Sequence, residues 1–402
     1  MGDLASGNVA TFIMTSRQLK AGYFVLAWLN ILAAAYYFNY LFFHLRTEFG
    51  FGNRGNLFVA GLNGLLYACA AWFAGKFAQR RGYFTALYVG FGVMTVALGV
   101  GSRCHSLMGQ CAAMLVWTFG ICFTWPTLEA LVSEGETRAG LRRMLGIYNV
   151  VWAGGAALAY FTGGTLLESL GPGSLYWLPA MLHAAQLGLT RWLHCASRTV
   201  SGHSGSALAC SPAESSPVPA RSKAFLQMAW LANPFAYVAM NTVIPLIPGL
   251  AAKLNLSTSL AGFVASVWMF ARFFAFIGLW LWTGWHYKVG WLVGAYGSML
   301  LSFAALLLGS NLAVTVVAQL VFGLAVGLIY YSSLYYSMDV GETKGEHGGF
   351  HEALIGLGLF GGPAVGAATM QLLPNKPDAG IWTVSVLLTV GLVALLRLRV
   401  AG

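Results

Sequence analysis

Arg272 stands inside the apolar run Trp268-Met269-Phe270-Ala271-Arg272-Phe273-Phe274-Ala275-Phe276 of a 402-residue chain. A guanidinium cannot shed its proton to suit such surroundings. At the centre of a membrane-length span it costs ~2.5–3.5 kcal/mol on insertion scales, and with roughly 15 Å of helix on either side it cannot reach water by stretching. It must meet a carboxylate, carbonyl oxygens, water or an anionic solute. The expected role is to bind an acidic or hydroxyl-rich solute, or to pair with a carboxylate, with Trp268 beside it as an aromatic wall. A structural bond to a backbone carbonyl is the competing reading.

Other polar residues within apolar stretches join the candidate site. Trp125-Pro126 precedes Glu129; Pro bends a helix by removing a backbone bond, and Trp125 and Glu129 share a face at i, i+4. Glu129 reads either as a solute- or proton-binding carboxylate or as a partner of Arg142 or Arg143. Asn39 and Asn241 each need a hydrogen-bond partner or water, and Tyr36 and Tyr237 lie close by them. Tyr330, Tyr331, Tyr335 and Tyr336 fall within seven residues, with Tyr331 and Tyr335 on one face. Such aromatic walls with hydroxyl tips suit sugars, nucleosides or aromatic metabolites, although an interfacial girdle gives the same pattern. Asn149 and Trp152 open another apolar stretch. His347 and His351 have metal-compatible spacing just before Glu352, but lie in a polar segment near a membrane surface, so no metal is expected.

The elements that must hold these residues are membrane helices. Charged residues make up 8% of the chain and the hydrophobic set 58%, against roughly 25% charged for a soluble domain. Twelve stretches, from 21–45 to 379–397, each span ~30 Å of hydrocarbon. The stretch 21–45 is too long for a signal-peptide core and is read as a retained helix. With twelve spans both termini share a side, and sixteen Lys and Arg fall on that side against five on the other. The excess places the termini in the cytoplasm. It also accounts for the net charge of +10 without nucleic acid. The Ser-, Pro- and Ala-rich segment 196–223 reads as a flexible cytoplasmic linker between bundles 1–195 and 224–402. None of the six cysteines forms a C-x-x-C pair, so free thiols are expected.

The two bundles repeat one another. Ala27-Trp28-Leu29 recurs as Ala229-Trp230-Leu231, Asn39 as Asn241, Gly101-Ser102 as Gly309-Ser310, and Gly135-Glu136-Thr137 as Gly341-Glu342-Thr343. The segment Gly75 to Phe84 resembles the signature loop of the major facilitator superfamily at Gly75, Arg80 and Gly82, with Gln79 where an Asp is usual. Gly146, Gly155, Ala159, Gly163 and Gly164 resemble the spacing of that superfamily's antiporter motif, with Tyr160 in place of the Pro; ordinary close packing of helices explains the same spacing. With the repeat, the chain resembles the major facilitator superfamily over nearly its whole length. The resemblance implies an all-α polytopic membrane protein, twelve transmembrane helices in two parallel-repeat six-helix bundles, and a central cavity with alternating access. It also makes Gly75, Arg80 and Gly82 a gating loop.

The expected function is secondary active transport of a small organic solute, driven by a proton or sodium gradient or by the solute itself. The chain is expected to work as a monomer in the lipid bilayer of a bacterial inner membrane, without cofactor. Efflux of drugs or metabolites by antiport is the nearest alternative, and a non-transporting sensor on a transporter fold is an alternative of another class. No P-loop, H-E-x-x-H or G-x-S-x-G pattern is present, so neither ATP coupling nor catalysis is expected.

Overall fold

The computed structural model describes residues 15–203, 220–340 and 346–401, and within them every regular element is an α-helix. The first half comprises α1 (Ser16–Phe49), α2 (Asn53–Arg81), α3 (Tyr83–Gly101), α4 (Leu107–Cys122), α5 (Trp125–Ser133), α6 (Arg138–Leu170) and α7 (Ser174–His203). The second comprises α8 (Ala220–Lys253), α9 (Thr258–Leu281), α10 (Val289–Leu308), α11 (Leu312–Val340), α12 (Glu346–Leu372) and α13 (Ala379–Ala401). Hydroxyls set several starts. The Ser106, Thr137 and Ser257 side chains accept from the backbone N–H of Gly109, Gly140 and Leu260, and Thr15 forms a full capping box with Gln18.

Helices α4 and α5 are one span, interrupted at Phe123 and Thr124. Pro126 has no N–H to continue the ladder, and Thr124 anchors the break. Its hydroxyl donates to the Ile121 carbonyl at 2.8 Å and accepts from Asn30 Nδ2 of α1 at 2.9 Å. Among the described residues, eleven spans are long and apolar enough to cross a membrane. The twelfth, α7, has the length, at 30 residues, but carries His183, Gln186, Thr190 and Arg191. Three of these are turned inward: His183, Gln186 and Thr190 are buried. Trp117 Nε1 donates to His183 Nε2 at 3.4 Å, His183 Nδ1 meets Gln186 Oε1 at 2.8 Å, and Gln186 Nε2 donates to the Leu26 carbonyl at 3.1 Å. Large apolar side chains such as Phe58, Trp72, Val96, Leu301 and Val317 stand exposed on the outer surface, the belt expected against lipid.

The two halves meet along α2 with α12 and α6 with α9. Their backbones approach where glycine leaves room: a Cβ on Gly64 would lie 2.4 Å from the Leu359 carbonyl carbon, and one on Gly164 would lie 2.4 Å from the Thr258 carbonyl oxygen. Gly155, by contrast, makes way for Ile31 and Trp28 of α1. The glycine spacing of α6 thus serves two packing faces at once.

Two expectations shift. The segment read as a linker from residue 196 is helical as far as His203, with Ser197 and Thr199 bonding back to the His194 and Ala196 carbonyls. Gly75 and Arg80 lie in the last turns of α2 and not in a loop; only Gly82 forms the turn, at φ 91°. In the same stretch Lys76 Nζ sits 3.5 Å over the Trp72 ring. The side chains of His347, His351 and Glu352, the segment Gly341-Glu342-Thr343, and Cys210 lie outside the described residues. Cys69, Cys104, Cys111, Cys122 and Cys195 are free thiols.

Candidate functional site

A cavity of about 220 Å³ lies at mid-depth between the halves. The first half contributes walls from α1, α2, α4, α5 and α6, and the second from α8, α9, α11 and α12. Nine of its 25 lining residues are aromatic, so the interior is a set of ring faces with a few polar groups between them. Eight of the twelve solute-site residues expected from sequence come together here: Asn39, Trp125, Glu129, Trp152, Tyr237, Asn241, Trp268 and Arg272.

Arg272 dominates the chemistry. It is 1% exposed. Its Nη1 reaches Met240 Sδ at 3.5 Å, while Nε and Nη2 have no hydrogen-bond partner. Its Cζ lies 4.8 Å from the centre of the Trp152 ring, 5.1 Å from that of Tyr330 and 5.2 Å from that of Phe276. Each such contact offsets the desolvation of the cation by about 0.5–2 kcal/mol, against a burial cost of several kcal/mol for an unpaired ion. No carboxylate of a described residue lies within ion-pair distance of it. The competing expectation of a backbone-carbonyl partner does not describe this geometry.

The amides differ between halves. Asn241 Nδ2 donates to the Tyr237 carbonyl one turn back at 3.0 Å. Asn39, its counterpart, is 6% exposed and its side chain makes no hydrogen bond within the described structure. Trp268 Nε1 is likewise buried without an acceptor. Trp125 and Trp152 meet edge to face at 6.3 Å.

Four expected residues face elsewhere. The Tyr36 hydroxyl is spent on Ser174 Oγ of α7 at 2.7 Å. Asn149 is buried and donates to the Leu145 carbonyl at 2.9 Å. Tyr331 packs on Phe276 and Trp285. Tyr335 stacks on His286 at 4.0 Å, with Arg142 Cζ 5.4 Å from its ring. The face of α11 turned to the cavity carries Tyr330, one residue and about 100° away from Tyr331. Asn63, Tyr67, Thr118 and Tyr148 also line the cavity without having been singled out for it. Asn63 and Thr118 are bonded to each other; the sequence signal for Asn63 was the one that exposed Asn39, an amide in an apolar span.

Two contacts tie the halves together at the end of the bundle away from the chain termini. Asn56 Nδ2 of α2 donates to the Pro245 carbonyl of α8 at 3.1 Å. Glu168, at the end of α6, accepts from the Ser259 backbone N–H at 3.0 Å and from its hydroxyl, covering the exposed amides at the start of α9.

No protein-family model and no curated protein sequence matches the chain. Solved structures do. The nucleoside transporter NupG superposes with a TM-score of 0.67 at 12% identity, covering 95% of this chain and 99% of that one. A POT family transporter in complex with a thioalcohol-conjugated peptide gives 0.70 at 11% identity, over 95% and 96%. The human organic anion transporter MFSD10 gives 0.62 at 14% identity, over 95% and 100%. The chain is a multi-pass membrane protein, and its fold is that of the major facilitator superfamily. At these identities the likeness is one of fold.

Proposed function

We propose that this protein is a secondary transporter that carries a small organic solute through the central cavity by alternating access. One observation carries the reading: a mid-depth cavity between two six-helix halves is lined, within an aromatic wall, by Asn39, whose side chain makes no hydrogen bond within the described structure, and by Arg272, whose Nε and Nη2 have no partner. Solute sites of secondary transporters lie at such repeat interfaces. A volume of about 220 Å³ falls below the usual drug-sized range of about 300–1,000 Å³, which favours a small metabolite.

Bundles 1–195 and 224–402 rock about the cavity, joined through 196–223. With the termini cytoplasmic, the contacts at Asn56 and Glu168 close the outer end, and this conformer faces inward. Glu129 is the carboxylate on the wall suited to a coupling proton or sodium ion. The aromatic lining also favours a second reading, efflux of apolar aromatic metabolites by antiport. No step of catalysis is assigned to the site.

The test is a thermal-shift screen of nucleosides, sugars, peptides and organic anions with the purified chain, followed by counterflow in proteoliposomes. Exchange of any stabilising solute across the vesicle membrane is the expected result. Stabilisation by a solute that is never exchanged would instead support a non-transporting sensor.

A further inference from the structure

We propose that the cavity takes a small aromatic organic monoanion whose carboxylate is held side-on by Nε and Nη2 of Arg272. The proposal rests on the reading of this cavity as the solute site. Three features of α9 and its neighbours carry it.

The first is the free edge. Nε and Nη2 form one side of the guanidinium fork, whose two parallel N–H groups match the two oxygens of a carboxylate. Neither nitrogen has a partner, while Nη1 is turned to Met240 Sδ. The unoccupied pair is thus one with bidentate geometry. Both nitrogens are covered by protein in this conformation, so the acid reaches them as a covering side chain shifts.

The second is a second orphan donor on the same helix face. Trp268 lies one turn from Arg272, lines the same cavity, and holds a buried Nε1–H with no acceptor. Two donors at i, i+4 are thus without an acceptor in the described structure, although Trp268 also borders a smaller cavity beside Gln319, whose Oε1 is likewise unpaired.

The third is the charge and shape of the lining. Arg272, on α9 of the second half, is the one cation among the described lining residues, and Glu129, on α5 of the first half, is the one acid. Set against Arg272 alone, a monoanionic carboxylate is matched one for one, whereas a dianion such as a phosphate monoester brings one further negative charge into a cavity that already holds Glu129. The rings of Trp152 and Tyr330 beside the guanidinium, with those of Trp125 and Tyr237 on the same lining, offer stacking surface to a planar body.

The experiment titrates the purified full-length chain calorimetrically with benzoate, phenylacetate and indole-3-acetate. Indole-3-acetamide serves as the neutral isostere and phenyl phosphate as the dianion. At least one carboxylate should bind, and indole-3-acetate should bind roughly 10–100-fold more tightly than its amide, as expected for hydrogen bonds to a charged group. Arg272→Lys keeps the charge but loses the fork, and should weaken the carboxylate about tenfold. Arg272→Met should abolish the preference for acid over amide. If Arg272→Met does not fold, the wild-type isostere ratio and Arg272→Lys decide alone. Equal affinity for acid and amide, binding of no carboxylate in the set, or tighter binding of phenyl phosphate would overturn the proposal. Counterflow separates it from the transport reading. Exchange of neutral solutes with no carboxylate binding sinks this proposal alone, whereas Arg272-dependent carboxylate binding without exchange of any solute sinks transport alone.

Discussion

Asn56 of α2 joins both halves of the molecule, donating through Nδ2 to the Pro245 carbonyl of α8 at 3.1 Å and to the Phe42 carbonyl of α1 at 3.2 Å. In a rocking mechanism the bond to Pro245 must break each time the end away from the termini opens. Removing it should stabilise the opposite state by about 0.5–1.5 kcal/mol, a population shift of roughly two- to twelvefold. With spin labels at the exposed positions Arg54 and Lys253, Asn56→Ala should raise the share of long distances by that factor. An unchanged distance distribution would show that this contact does not govern the equilibrium.

Gly164 and Gly75 are both helical glycines with opposite expectations. A Cβ at Gly164 would meet the Thr258 carbonyl oxygen at 2.4 Å and Ser259 Cα at 2.8 Å, whereas one at Gly75 meets nothing within 4 Å. Backbone cannot yield as a side chain does, so Gly164→Ala should destabilise by about 1–3 kcal/mol. Gly75→Ala should be neutral or stabilising by up to about 1 kcal/mol, since Ala favours the helix. Thermal unfolding in detergent reads both, and a matched loss in the two variants would contradict the packing of α6 on α9.

Asn39 and Asn241 occupy equivalent places in α1 and α8 but are bonded differently. Asn39→Ala removes a group with no protein partner, so stability should hold while affinity for the transported solute falls roughly three- to tenfold. Asn241→Ala removes a bond within α8 as well and should show a small drop in melting temperature beside its effect on affinity. A loss of stability at Asn39 with normal binding would assign that amide to packing.

The charge distribution predicts cytoplasmic termini. Single cysteines at positions 1 and 212, in a background without the native thiols, should label from the cytoplasmic face. One at 377, in the exposed turn between α12 and α13, should label from the opposite face. Labelling of 1 and 377 from the same face would refute twelve spans.

The spans, their pairing into two repeats and the presence of an internal arginine were all legible in the chain. Those features depend on composition and on distance along the sequence: a stretch of apolar residues must cross lipid wherever it lies, and Arg272 must find the interior because lipid gives it no partner. Hydroxyl caps at Ser106, Thr137 and Ser257 are equally local. Tertiary structure decided the rotation of each helix about its own axis. In a span that is apolar nearly all round, sequence periodicity scarcely marks the inward face, because lipid and protein interior accept the same side chains. That is why Tyr330 and not Tyr331 or Tyr335 reaches the cavity, why Tyr36 turns away to Ser174, and why Asn63 and Thr118, 55 residues apart, bond on one wall. Tertiary packing also left Arg272 with aromatic neighbours and a free donor edge. The sequence required only that some partner exist; the crossing of α6, α9 and α11 determined which groups surround it.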